Sequence, residues 1–241
     1  MDAQMYQTMM ALEEKYWWFV ARRSILDQVI KKLTLPESAE IFEAGCGTGG
    51  NLAMLARHGK VYGMELNDTA RIYASKLQLA QIQPGCLPNE IPFPDKQFDL
   101  IVLLDVLEHV EEDAKSLQAL TNKLKPSGWL LITVPAYNWL WSKQDEILHH
   151  KRRYMLQNLE KVVCDAGYKV HLTSYFNSIL FPLIAGARLL FNLLGKGGNE
   201  LTILPQPINK ILTSLFALER HVIARLFLPF GVSLLLLAQK E

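Results

Sequence analysis

The stretch Ile41-Phe42-Glu43-Ala44-Gly45-Cys46-Gly47-Thr48-Gly49-Gly50 decides how this chain folds. An apolar run that ends in glycines and then opens a helix reads as the strand, loop and helix that start a parallel sheet, where missing side chains let a ligand approach the backbone. Outward from it, residues 40 to 134 alternate short apolar runs with longer amphipathic ones, the pattern of a repeating strand and helix. Strands are expected at Glu40 to Ala44, Val61 to Glu65, Leu79 to Gln83, Leu100 to Leu104 and Trp129 to Val134. Two more, Tyr168 to Tyr175 and Val232 to Ala238, make seven.

Helices are expected between them. Asn51 to Arg57 follows the glycine loop, and Thr69 to Leu77 follows the potential caps Asn67 and Asp68. Glu112 to Leu124 stops before Lys125, Pro126, Ser127 and Gly128, and Leu156 to Ala166 is closed by Gly167. Ahead of the sheet, residues 5 to 33 read as helix, with Tyr16, Trp17, Trp18 and Phe19 beside Arg22 and Arg23. A helical insertion is expected over residues 179 to 230, where Ile208, Ile211, Leu212, Leu215, Val222 and Leu226 recur at helical spacing and Gly195 to Asn199 forms a loop. The domain organisation expected is a single unit over residues 1–241. It comprises an N-terminal helical lid (1–36), a cofactor-binding core (37–178), an insertion or cap (179–230) and a final strand (231–241).

Composition narrows the function. Half of the 241 residues are hydrophobic, and 25 Lys and Arg against 24 Asp and Glu leave a net charge of +1, so no overall field gathers nucleic acid. Cys46, Cys86 and Cys164 form neither a C-x-x-C pair nor an even framework, which points away from structural zinc and disulfides and toward a reducing, cytoplasmic setting. The acidic residues Asp2, Glu13 and Glu14 near the start argue against a secretory leader. Two apolar stretches, Ile179 to Leu194 and Val222 to Ala238, fall short of the roughly 20 residues of a spanning helix. The expectation is no transmembrane segment, with contact at a membrane surface left open.

The glycines admit two ligands. Gly45, Gly47 and Gly49 fit G-x-G-x-G, while Gly45, Gly47 and Gly50 fit the dinucleotide pattern G-x-G-x-x-G. Glu43, two residues before Gly45, would repel a pyrophosphate and attract an ammonium, which disfavours NAD and suits S-adenosylmethionine. Glu65, 20 residues after Gly45 and followed by Leu66, stands where an acid accepts both ribose hydroxyls. Gly85, Cys86 and Leu87 would line the adenine pocket, and Leu104 and Asp105 would face the methionine part. Cys46, Thr48 and Gly49 complete the loop.

EAGCGTGG, VYGMEL, PFPDKQFDLIVLLDVLEHV and LKPSGWLLITVP resemble successive motifs of class I S-adenosylmethionine-dependent methyltransferases over residues 38 to 178. LDVLEHV is similar to a segment of ubiquinone-biosynthesis-type O-methyltransferases, while WWFVARR and HHKRRY resemble a bacterial subgroup, type 11/12-like, of unassigned substrate. The resemblance implies a Rossmann-like α/β sheet ordered 3-2-1-4-5-7-6 with strand seven antiparallel. Many relatives have an aspartate where this chain has Cys86, so adenine recognition is expected to lean on backbone groups.

Methyl transfer from a sulfonium is an in-line displacement that demands alignment, dryness and a base only for a protonated acceptor, with no metal. Candidate bases are His149 and His150, then Tyr154 and His109, the last alternatively packing beside the cofactor. His149 to Arg153 reads either as a solvated face or as a site for an anionic acceptor or headgroups. Trp17, Trp18, Arg22 and Arg23 read either as a helix closing over the cofactor, with an aromatic such as Trp18 against it and one arginine, Arg22, on the methionine carboxylate, or as buried packing tryptophans with both arginines exposed. Tyr137, Trp139 and Trp141 would either wall an acceptor pocket or pack the N-terminal helix. The acceptor expected is a small or lipid-like molecule, on a monomer or homodimer. An NAD-dependent oxidoreductase and a non-catalytic S-adenosylmethionine-binding protein are the other readings.

Overall fold

The computed structural model describes residues 10–194 and 204–240. The Gly195 to Asn199 loop, residues 5 to 9 of the expected first helix and Glu241 lie outside them. Seven strands form one sheet: β1 (Glu40–Ala44), β2 (Lys60–Met64), β3 (Ala80–Gln83), β4 (Phe98–Leu104), β5 (Leu124–Pro135), β6 (Tyr168–Phe176) and β7 (Ser233–Lys240). Their order is β3-β2-β1-β4-β5-β7-β6. β1 to β5 run parallel, and β7 runs antiparallel to both β5 and β6.

Each face of the sheet has its own core. Ile41, Leu100, Val102, Leu131 and Leu235 pack toward helix α1 (Trp17–Ile30) and its Ile25, Leu26 and Val29. Phe42, Ile101, Leu103, Leu130 and Leu236 face the other way, toward α4 (Asp113–Thr121) and α6 (Leu156–Asp165). Neighbouring residues of one strand serve opposite cores, which explains why the central strands read as unbroken apolar runs. Short helices α2 (Leu52–Leu55) and α3 (Asp68–Lys76) connect the first three strands, and Asn67 caps α3 by accepting the Ala70 N–H at 3.0 Å.

Three expectations change. The N-terminal helix is interrupted near Lys15 and Tyr16, with a helical turn before it ending at Glu13. β5 begins at Leu124, because Leu124 already pairs with Phe98 and the turn-forming Pro126, Ser127 and Gly128 are absorbed at a shift in register. In the insertion, α7 (Phe181–Leu193) and α8 (Gln206–Ala217) are helical, and a 3-10 turn, Leu218–His221, ends the regular run before Val222 and Leu226.

That turn is fixed by a buried carboxylate. Glu219 accepts the backbone N–H groups of Asn177 and Ser178 at 2.7 Å each and of Ile179 at 2.9 Å, tying the insertion to the end of β6. A second tie holds α8 to α1: the Trp17 N–H donates to Asn209 Oδ1 at 3.0 Å, and the Trp17 ring meets Phe216 edge-on. No described helix is long and apolar enough to cross a membrane. Glu219→Ala strands three donors, two of them buried, so urea unfolding should show a loss of about 1.5–3 kcal/mol, with Glu219→Gln recovering part of it.

Candidate active site

The glycine loop leaves β1 at its C-terminal edge. Gly45, Gly47 and Gly49 have φ of 77°, 56° and 96°, the left-handed region that side chains disfavour. A Cβ on Gly49 would also strike Leu77 and Leu52, whereas one on Gly47 would meet nothing within 4 Å. Glu65, just past β2, holds the loop from beside it, accepting the Gly47 N–H at 2.9 Å and the Asn67 N–H at 2.8 Å. Glu13 holds it from above, accepting the Thr48 hydroxyl at 2.6 Å, with its carboxylate where a side chain on Gly50 would lie.

Behind the loop runs a chain of buried polar groups. Arg22 pairs with Asp105 and donates to Asn51 Oδ1 at 3.2 Å, and Asn51 donates to Glu43 Oε1 at 2.8 Å. Burial pushes the Glu43 carboxyl up to about 8, against the pull of Asn51 and Arg22, and brings Arg22 down to about 10. Arg22 Nε and Glu43 Oε2 are buried without a hydrogen-bond partner. The Arg22 guanidinium also lies 4.8 Å from the Trp18 ring centroid.

A cavity of about 580 Å³ opens from this loop. Gly45, Cys46, Gly47, Asn51, Leu104 and Asp105 form its floor, and Trp18 and Arg22 of α1 its near wall. Its far wall is apolar, with Leu183, Ile184 and Phe191 of α7 and Leu212 of α8. Between the two lie Glu108, His109, Asp145, His150 and Arg153.

This middle group is organised by Asp145, on the short helix α5 (Lys143–Ile147). Arg153 Nε and Nη2 donate to its two oxygens at 2.9 Å each, His150 Nδ1 lies 2.8 Å from Oδ1, and the Ser142 N–H donates to Oδ2 at 2.8 Å. Burial would raise the Asp145 carboxyl, but His150 and Arg153 outweigh it and hold the group well below the usual carboxylate range. An ionised carboxylate only accepts, so Nδ1 carries the proton and Nε2 of a neutral His150 is left with its lone pair. The His109 ring stands edge-on to His150 at 4.7 Å, and burial together with His150 lowers it to about 4. Burial pushes Glu108 up to about 8. Ligand atoms of Glu108, His109 and His150 all lie within 4.8 Å of one another.

The structure therefore sorts the candidates. Trp18, Arg22, Gly45, Cys46, Gly47, Leu104, Asp105, His109 and His150 line the cavity. Glu43, Thr48, Gly49 and Glu65 support the loop from outside that lining, and Leu66 is exposed. Gly85, Cys86 and Leu87 lie beyond β3, where Cys86 and Glu90 exchange backbone hydrogen bonds at 3.0 and 2.9 Å. His149 is exposed, and the Tyr154 hydroxyl is committed to Asp113 at 2.8 Å, its acidity weakened by burial.

The HHKRR run is not a cationic patch, because acids neutralise it. Arg153 and His150 turn to Asp145, Arg152 to Asp113 at 2.9 Å and Lys151 to Glu111 at 3.5 Å. Tyr137 stacks on Tyr175 and packs with Trp139 and Phe181, away from α1. Sequence reading misses Glu13, Asn51 and Asp145. Asp145 has a signal in hindsight: an acid five residues before a histidine and eight before an arginine.

Sheet order, glycine loop and following acid together define the class I fold of S-adenosylmethionine-dependent methyltransferases. The chain belongs to the methyltransferase domain family, whose model matches residues 17–178. It is 24% identical over 166 residues to a protein of Mycobacterium tuberculosis described as a probable S-adenosylmethionine-dependent methyltransferase, covering 67% of this chain and 59% of that relative. The chain thus spans less than two thirds of that relative's length. Over 115 residues it is 28% identical to a ubiquinone biosynthesis O-methyltransferase of Bradyrhizobium diazoefficiens, covering 46% of this chain and 45% of the other. A TehB-like methyltransferase from Corynebacterium glutamicum shares the fold at TM-score 0.58 and 18% identity, over 99% of this chain and 96% of that one. The [4+2]-cyclase SpnF shares it at 0.63 and 18%, over 98% and 94%.

Asp145 sets a pH dependence. Its depressed carboxyl contributes stability in full above its ordinary value, and that stability is lost as the pH falls. Asp145→Asn should lower the thermal midpoint clearly near neutral pH. The gap should start to narrow as the pH falls below the ordinary carboxylate value and close only once the depressed carboxyl is itself protonated, since a protonated Asp145 offers much the same neutral group as asparagine.

Proposed function

We propose that this chain transfers a methyl group from S-adenosylmethionine to a small or lipid-like acceptor with an apolar body. The observation that carries the reading is one cavity joining the glycine loop, the His150–Asp145 pair and an apolar wall. The residues present suit the donor. Arg22 Nε, on the cavity wall, is a buried donor lacking a partner, the complement of an amino acid's carboxylate, and Glu43 backs the loop from behind through Asn51. Glu65 stands at the loop for a ribose diol, with Gly47 leaving the backbone open. A dinucleotide would instead set its pyrophosphate against Glu13, which lines the cavity at the loop.

S-adenosylmethionine supplies an electrophilic methyl group, which leaves sulfur as the acceptor attacks in line. Trp17, Trp18 and Phe19, lining the same cavity, exclude water from that step. His150 Nε2 takes the acceptor's proton, so the acceptor gains the methyl carbon, the carbon–sulfur bond breaks and S-adenosylhomocysteine remains. Asp145 fixes the tautomer and steadies the resulting imidazolium, and Arg153 keeps Asp145 ionised. His109, held neutral, packs against the base rather than competing for the proton. The relatedness to an O-methyltransferase supports oxygen as the methylated atom.

Calorimetric titration with S-adenosylmethionine, S-adenosylhomocysteine and NAD tests the donor. Binding of the two sulfur nucleosides but not NAD is expected, and Glu65→Ala should weaken it by about 1–3 kcal/mol. Selective NAD binding would sink the reading. With an acceptor in hand, His150→Gln should lower turnover about 100- to 10,000-fold while leaving the affinity for S-adenosylmethionine unchanged. Tight binding with no turnover over a broad acceptor panel would mark a binding protein instead.

A further inference from the structure

The helices α7 and α8 each turn an apolar stripe to solvent. On α7, Leu183, Leu190 and Leu193 lie on one face with Gly186, at the spacing i, i+3, i+7 and i+10, and Leu193 is 84% exposed. On α8 and the turn after it, Ile208, Ile211, Leu215 and Leu218 repeat that spacing, with Ile211 58% exposed. The opposite sides are buried, at Ala185 and Phe216. Exposed apolar area of this extent on a polar-rimmed fold marks a contact surface.

The exposed charges on the described residues of this segment have one sign. Among the described residues from 179 to 230, the basic ones are Arg188, Lys210, Arg220 and Arg225, and the last three are exposed. The single acid, Glu219, is buried and turned inward onto backbone N–H groups. Among its described residues, then, this segment of a nearly neutral chain combines an apolar face with exposed charges that are all basic.

We propose that this face docks the protein on an anionic lipid bilayer, with α7 and α8 lying in the headgroup plane. Both helices, 13 and 12 residues long, are too short to span; each carries an apolar stripe, and on α8 the exposed Lys210 adds the basic group found on surface-bound helices. A second observation favours a bilayer over a second copy of the chain. Leu183 and Phe191 belong both to the exposed face and to the wall of the cavity. The apolar surface is therefore continuous from the outside to the middle of the site, so a molecule with an apolar chain can pass from bilayer to cavity without crossing water. The docking itself does not depend on methyl transfer.

Cosedimentation of the full chain with vesicles tests this, using phosphatidylcholine alone or mixed with phosphatidylglycerol, without donor or acceptor. Binding should rise severalfold with phosphatidylglycerol and fall at high salt. Leu193→Asp and Ile211→Asp, neither in the cavity lining, should each cut binding severalfold while circular dichroism and the thermal midpoint stay unchanged. Lys210→Glu should reduce the dependence on phosphatidylglycerol.

Three results would each overturn the proposal: no vesicle binding, equal binding to both vesicle types, or variants that bind like the parent. So would a dimer in solution that the same substitutions split into monomers, since a second copy would then cover the face. Because vesicle binding is read without S-adenosylmethionine, and the calorimetry without vesicles, failure of one reading is distinguishable from failure of the other.

Discussion

The backbone path through Gly45, Gly47 and Gly49 is the constraint around which the rest is arranged. It brings main-chain N–H groups to the edge of the sheet with no side chain in the way, and in doing so creates donors that need partners. Glu65 meets one of them from the end of β2, and Glu13 reaches the neighbouring Thr48 from the N-terminal turn. Once two carboxylates stand at the loop and a third, Glu43, lies behind it, Arg22 becomes necessary. A buried acid without a cation nearby would be costly, and burial alone already drives Glu43 toward its protonated form. The position of α1 follows from that electrostatic need as much as from its apolar contacts.

The same logic shapes the far side of the cavity. Arg153 is buried, and so is Asp145, and each makes the other tolerable through a two-point pairing that fixes both geometries. His150 is oriented as a by-product of that pairing. The fold thus holds the His150 ring between the polar end of the cavity and its apolar wall.

Much of the architecture was legible in the sequence, because burial on both faces writes the central strands as short apolar runs and glycine has few reasons to recur three times in five residues. Strand β1 was located to the residue, and the sheet order followed from the resemblance. Legibility failed where tertiary contacts override local rules. Pro126 and Gly128 look like a stop, yet pairing of Leu124 with Phe98 draws the segment into β5. The HHKRR run looks like a charged face, yet its neutralising partners Asp145, Asp113 and Glu111 come from other segments, so its charge could not be summed locally. For the cavity, sequence reading found the loop, Trp18, Arg22 and His150. It missed Asn51 and Asp145, whose roles exist only through side chains brought to them by folding.

One feature of α1 reaches beyond its place in the fold. Its first residue, Trp17, is gripped through its N–H by Asn209 of the insertion, while one turn along Arg22 engages Asn51 and Asp105 beside the glycine loop. A single short segment is thereby tied at once to the insertion and to the glycine loop. Changes introduced at the two ends of the cavity will consequently not add as independent free energies, because each perturbs the same rigid lever. Reshaping the insertion therefore also shifts what α1 presents to the glycine loop, and selection acting on one end of the cavity acts on the other as well.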